Sequence, residues 1–240
     1  MEGQQHTALV HSFFATMRFL NMYHRYSVAG TERIPKEGPA LLLVNHSLAT
    51  YDILMFGLAI NVLTGRPPKG LGHRNFYATE TLANWSRLAG IFAAGPDIGE
   101  KLLGEGNLVL LAPGGLWEAL RPSTEKYQIR WNNRFGFAKL AIKTQVPVIL
   151  AACPKADEMY SVAETPVTRA LYNKFRLPLI LARGLGLSLI PRPVKLTHYI
   201  REAILPPPFE GEDPPQEMIQ DFQELLAREM EEWLHAHIEA

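Results

Sequence analysis

The chain has 240 residues, with 24 Lys and Arg balanced by 24 Asp and Glu, 47% hydrophobic residues and 20% charged ones. That proportion of apolar side chains supports a packed core and excludes a disordered chain; zero formal net charge excludes the global basic field that recruits nucleic acid, so no nucleic-acid partner is expected. The single cysteine, Cys153, excludes an intramolecular disulfide and an all-cysteine metal site, and fits a reducing compartment.

Residues 1–29 read as an N-terminal amphipathic or apolar helix, distinct from an α/β domain over 30–240. Leu9, Val10, Phe13, Phe14, Met17, Phe19, Leu20, Met22 and Tyr23 make it greasy on most sides, interrupted by Arg18 and Arg25. Such a helix packs on its own protein's core or lies in a membrane interface. Its charge-free stretch falls short of the ~20 apolar residues that a spanning helix requires. The start lacks the charged region and small-residue cleavage site of a secretory signal. The expectation is a chain without a signal peptide, associated peripherally with the cytoplasmic face of a membrane.

Beyond residue 30, short apolar runs bounded by turn residues alternate with helical patterns, which predicts a single α/β domain: a central, mostly parallel or mixed β-sheet flanked by helices. Strands are predicted over 39–44, 70–73, 108–112, 146–152 and 194–204. The last alternates apolar and polar residues and the others are continuous apolar runs, as in strands buried on both faces. Helices are predicted over 51–62, 79–89, 98–105, 133–144 and 157–173, with a C-terminal one over 214–238. That last helix places Met218, Phe222, Leu225, Leu226, Met230, Trp233 and Leu234 on one face, and a Glu-rich face including Glu224, Glu229, Glu231 and Glu232 toward solvent. Residues 175–196 carry three arginines among Leu and Ile, with prolines at both ends and small residues at 184, 186 and 188. They read as an apolar hairpin or loop, a second candidate contact for membrane or acyl chain.

Two turns could carry chemistry. In "LLLVNHSLATYD", His46 and Asp52 follow a buried strand, at the edge of a parallel sheet where functional groups collect. A carboxylate near an imidazole fixes its tautomer and leaves the other nitrogen free to take a proton. Asn45, Ser47 and Asp52 are also good cap residues, so the same stretch reads as a helix start. In "LVLLAPGGLWEAL", a second strand enters Pro113-Gly114-Gly115, where paired glycines allow positive φ and close approach of backbone to a ligand, with Glu118 just beyond. No G-x-S-x-G nucleophile elbow is present, nor an H-E-x-x-H zinc motif. The eight histidines lack metal-ligand spacing. The glycines of "GEGNLVLLAPGG" fit neither dinucleotide nor P-loop patterns.

Together "NHSLATYD", "PGGLWEAL" and "RFGFAKLAIKTQVPVILAACPKADEMY" resemble the glycerolipid acyltransferase superfamily, whose members move a fatty acyl group from a thioester to a lipid hydroxyl. The family's first motif is Asn-His, four residues, then Asp; here five residues separate His46 from Asp52, a spacing similar to that of the monoacylglycerol and diacylglycerol acyltransferase-like branch. The resemblance covers roughly residues 30–207. It implies His46 as general base, Asp52 as the group that orients it, and Asn45, Pro113, Gly114, Gly115, Glu118 and Arg134 at the substrates, with the glycine amides as oxyanion donors. The donor would be acyl-CoA or acyl carrier protein as co-substrate, with no cofactor and no metal. The places of the two arginines that hold phosphate in phospho-acceptor members fall on Gly95 and Trp117, neither of which can offer bidentate hydrogen bonds. The implied acceptor is therefore a neutral lipid alcohol, although Arg74, Arg121, Lys126 and Arg130 remain as cations elsewhere. A silent lipid-binding module and a thioesterase using the same His-Asp pair are the alternatives.

Overall fold

The computed structural model describes residues 2–163, 181–211 and 213–239. The strands are β1 (Ser27–Ala29), β2 (Ala40–Val44), β3 (Lys69–Gly72), β4 (Ile91–Ala93), β5 (Leu108–Leu111), β6 (Val148–Ala152), β7 (Ser161–Ala163), β8 (Leu181–Arg183) and β9 (Thr197–Ile200). The α-helices are α1 (Glu2–Tyr23), α2 (Tyr51–Thr64), α3 (Glu80–Leu88), α4 (Pro96–Gly104), α5 (Gly115–Ala119), α6 (Gly136–Thr144) and α7 (Gln216–Ala236). The main sheet has the order β1-β9-β6-β2-β5-β3-β4, and β7 pairs with β8 in a small antiparallel sheet. Every neighbouring pair in the main sheet is parallel except β6 and β9.

Period-two alternation on the central strand divides the core into two layers. Leu41 and Leu43 of β2 face a cluster built with α6 and α7, where Phe222, Leu226, Met230 and Leu234 repeat at helical spacing. Leu42 and Val44 face the other way, onto Phe56 and Ile60 of α2. Because helices cover both faces, all five residues of β2 are buried, as its unbroken apolar run requires.

α1 divides its apolar surface. Phe13 and Met17 pack on Met55 of α2, and the Phe13 ring lies 5.4 Å from that of Trp85. Phe14, Phe19 and Met22 stay exposed. The helix ends at His24, whose Nδ1 hydrogen bonds the Val194 carbonyl at 2.9 Å and whose Nε2 meets the Tyr51 hydroxyl at 2.6 Å.

Several expectations are corrected. The helix predicted over 157–173 is, in its described part, a 3-10 turn (Pro154–Glu158) followed by β7; residues 164–173 lie outside the described residues. β7 exists because Val162 finds Ala182 across the small sheet, a non-local partner with no local signature. Of the segment 175–196, residues 175–180 lie outside the described residues, while 181–183 pair with β7 and 184–190 form turns that expose Leu185, Leu187, Leu189 and Ile190. The last strand is shorter than predicted, 197–200, with an isolated bridge from Ile204 to Val148. The Glu-rich face of α7 is not wholly solvated. Glu231 accepts the Ile129 amide at 2.9 Å, and Glu229 pairs with Arg201. Among the described residues no helix is long and apolar enough to cross a membrane.

Candidate active site

β2, β5 and β6 run parallel, so their C-terminal ends share one edge of the sheet. Residues 45–47, 112–115 and 153 leave the sheet there. His46 is partly exposed in the turn after β2, and its Nδ1 lies 3.0 Å from the Ser47 carbonyl. A carbonyl only accepts, so Nδ1 carries the proton and Nε2 keeps the lone pair, the arrangement a general base requires. Burial lowers the His46 pKa; the Ser47 carbonyl opposes that shift and the Arg121 cation adds to it. Burial thus favours the neutral ring.

Asp52 is not hydrogen bonded to that imidazole. It is fully buried in the first turn of α2, and its Oδ1 accepts the Ser47 hydroxyl at 3.0 Å. The carboxylate therefore reaches His46 through Ser47, whose carbonyl sets the tautomer. Burial pushes the Asp52 pKa up to about 6, resisted by the Ser47 hydroxyl and the amides of Asp52 and Ile53. The helix-start reading of this stretch is partly right, since those amides belong to the first turn. The N-cap itself is Thr50, at φ 61°, and it makes no side-chain cap bond.

Glu118 and Arg121 hold the backbone of His46. Glu118 Oε1 accepts the His46 amide at 3.0 Å, and Arg121 Nη1 donates to the His46 carbonyl at 3.3 Å. The two side chains pair with each other at 3.4 Å, and Arg121 Nη2 pairs with Asp157, which also accepts the Tyr127 amide at 2.9 Å. The Glu118, Arg121 and Asp157 side chains are 0%, 3% and 6% exposed, so water does little to screen them. Burial raises the Glu118 pKa to about 7, against the pull of Arg121 and the His46 amide. For Arg121 burial disfavours the charge, but Asp157 and Glu118 outweigh it and the pKa is raised.

The glycine turn makes room for this arrangement. A Cβ on Gly114 would sit 1.8 Å from Glu118 Oε2, so any side chain there would expel the carboxylate. Gly115 adopts φ 53°, in the left-handed region, and its amide is already bonded to the Ala112 carbonyl at 3.2 Å. Pro113 and Gly114 are buried. Pro113, Gly114 and Gly115 thus shape the turn around Glu118, and the Gly115 amide is taken by the Ala112 carbonyl. Asn45 braces the same edge. It is 0% exposed, its Oδ1 accepts the Cys153 amide at 2.8 Å and its Nδ2 donates to the Cys153 carbonyl at 3.3 Å, tying the ends of β2 and β6 together. Arg134 is exposed in the turn before α6. Of the spare cations, Arg121 is engaged as above, and Arg130 pairs with Glu125 and lies over the Trp117 ring at 4.9 Å.

Behind the turn lies a buried polar cluster that the sequence did not point to. Ligand-capable atoms of Asp52, Cys153 and His198 lie within 4.8 Å of one another, the one group of three metal-capable side chains among the described residues. His198 stacks on Phe56 and shares a 2.9 Å hydrogen bond with Tyr26, and burial lowers its pKa to about 3. Burial, with Asp52 nearby, raises the pKa of Cys153, which keeps the thiol protonated and unsuited to carrying an acyl group. Asp157 and His198 were not singled out in the sequence and Arg121 only as a spare cation; the fold brings Arg121 and Asp157 together at the His46 turn.

The sequence profile of the acyltransferase family matches residues 25–153. The chain is 35% identical over 187 residues to a bovine protein named DGAT1/2-independent enzyme synthesizing storage lipids, and 34% identical over 187 residues to its human counterpart. These alignments take in 76% of this chain but 53% and 55% of those proteins, so the chain spans about half the length of the curated relatives it matches. Its fold is similar to the crystal structure of the 1-acyl-sn-glycerophosphate acyltransferase PlsC from Thermotoga maritima, with a TM-score of 0.52 and 18% identity over 90% of this chain and 79% of that one.

Proposed function

The chain belongs to the acyltransferase family, and from that premise we propose that it moves a fatty acyl group from an acyl thioester to the hydroxyl of a neutral glycerolipid, with His46 as general base. The observation that carries this reading is the placement of His46: Nδ1 lies on the Ser47 carbonyl, which leaves Nε2 to accept a proton, and Glu118 holds its backbone at the sheet edge, while burial lowers the pKa of the ring. Nε2 takes the proton of the acceptor hydroxyl as the oxygen attacks the thioester carbonyl. When the tetrahedral intermediate collapses, the imidazolium returns that proton to the leaving thiolate. No protein nucleophile takes part, consistent with a buried, protonated Cys153.

A neutral acceptor is supported by the engagement of Arg121 and Arg130 with carboxylates, and by Gly95 and Trp117 at the places where phospho-acceptor members resembling this chain carry arginine. The names of the bovine and human relatives, as storage-lipid enzymes, point the same way. Labelled acyl-CoA with diacylglycerol is expected to give triacylglycerol. Free fatty acid as the sole product would make the protein a thioesterase. Binding without either product, with monoacylglycerol, lysophospholipid and acyl carrier protein also tried, would make it a silent lipid-binding module.

The same reading includes peripheral contact with a membrane. Phe19 and Met22 of α1 are 62% and 70% exposed, Leu187 and Leu189 of the 184–190 turns are 90% and 72% exposed, and the Tyr23 hydroxyl donates to the Pro191 carbonyl at 2.6 Å, joining the two apolar surfaces. Exposed apolar area of this kind partitions into a lipid interface. In flotation with lipid vesicles the protein is expected to rise with the lipid, and Phe19→Asp with Leu187→Asp to leave it at the bottom. A wild-type protein that stays at the bottom sinks the membrane proposal.

A further inference from the structure

We propose that Arg121, anchored by Asp157, is a positioning residue for His46: with Glu118 it grips the amide and the carbonyl of that one residue. The inference rests on the reading of His46 as general base.

The geometry is specific to that purpose. A residue's amide belongs to the peptide plane before its Cα and its carbonyl to the plane after it, so holding both fixes the two soft torsions between them. Glu118 holds the first plane at 3.0 Å and Arg121 the second at 3.3 Å. The ring is then set by Nδ1 on the Ser47 carbonyl, which leaves the direction of Nε2 no free backbone torsion. Arg121 can serve because its guanidinium is a planar fork, one nitrogen on His46 and Glu118 and another on Asp157. Asp157 is itself fastened by the Tyr127 amide at 2.9 Å, so the grip leads back to the chain rather than to water. A cation buried among carboxylates is weak evidence of a stabilising role by itself, since apolar replacements often serve as well. Here one arm of the fork reaches the turn that carries the base, and the other is anchored on Asp157.

Three variants test this. Arg121→Lys keeps the charge and loses the fork. Arg121→Gln loses both, and Arg121→Gln with Asp157→Asn restores charge balance should the single variant fail to fold. Each is measured for kcat and KM with acyl-CoA and diacylglycerol, and for the pH titration of the His46 imidazole by NMR, its signal assigned by loss in His46→Ala. Arg121→Lys is expected to lower kcat ~10- to 100-fold with both KM values unchanged, the scale of loss from misplacing a reacting group by about an ångström. Its His46 titration stays in place. In the Gln variants kcat falls similarly and the His46 midpoint moves to higher pH, because the cation that disfavours the imidazolium is gone. A lowered melting temperature with kcat and the His46 titration both unchanged overturns the proposal. If the wild-type protein transfers no acyl group the reaction proposed above fails instead. The NMR midpoints then still decide the Arg121 claim, an unmoved midpoint in the Gln variants overturning it.

Discussion

His46→Ala purifies folded and transfers acyl groups ~10²- to 10⁴-fold more slowly than wild type, the range associated with removal of a general base. The fold survives because what anchors this turn is the backbone of residue 46, and alanine offers the same amide to Glu118 and the same carbonyl to Arg121. The side chain contributes one hydrogen bond, to the carbonyl of its neighbour. Turnover of labelled acyl-CoA with diacylglycerol measures the loss, and circular dichroism with a melting curve checks the fold. Near wild-type turnover in the pure variant would remove His46 from the chemistry. Because burial lowers the His46 pKa, the acid limb of the wild-type rate profile falls below the ordinary imidazole value of 6.5.

Asp52→Asn is expected to melt higher than wild type at pH 8, with the difference vanishing near pH 4. The folded-state pKa of Asp52 is about 6 against 3.8 for the free carboxyl, so between those values the folded chain binds the extra proton. Stability then falls as pH rises through that window and stays lower above it. A shift of that size corresponds to on the order of 2–3 kcal/mol, which a neutral amide recovers while still accepting from the Ser47 hydroxyl. An Asn variant that melts lower at pH 8 would mean that the charge is stabilised by a group outside the contacts described. The cost is in rate. Since Asp52 meets Ser47 rather than the ring, Ser47→Ala should slow transfer as Asp52→Asn does. Wild-type turnover in Ser47→Ala beside an inactive Asp52→Asn would put the carboxylate directly on the imidazole during reaction.

What was readable in the sequence was whatever depends on local pattern. The apolar run of β2 and the spacing along α7 announce a strand covered on both faces and a helix laid on it, because period and burial are coupled along the chain. The position of His46 past a buried strand was legible for the same reason. The partnership of His46 with Asp52 was not, because whether five intervening residues bring a carboxylate to an imidazole depends on the torsions of the turn, including Thr50 at φ 61°. "PGG" announced close approach correctly but not to what; the approaching group is Glu118 of the next helix rather than a ligand. β1, β4, β7 and β8 are three residues each, too short for alternation to register, and exist through distant partners. Arg121 was legible only as a spare cation and Asp157 only as one residue of the 134–160 segment, since nothing local pairs side chains 36 residues apart.

The edge strand β1 pairs with β9 alone, Ser27 beside Thr197, so a segment near the N-terminus takes its sheet partner from 170 residues later. At the ~5–20 residues per second of synthesis, that partner emerges roughly ten to thirty seconds after β1. For that interval the strand and the exposed aromatics of α1 stand outside any finished sheet, open to a chaperone or to premature contact with lipid. Closing so long a loop is a slow step in folding, so β1 joins the sheet only once β9 is in place, and nascent chains stopped short of residue 197 should be more readily cleaved near Tyr26 than those released just beyond residue 200.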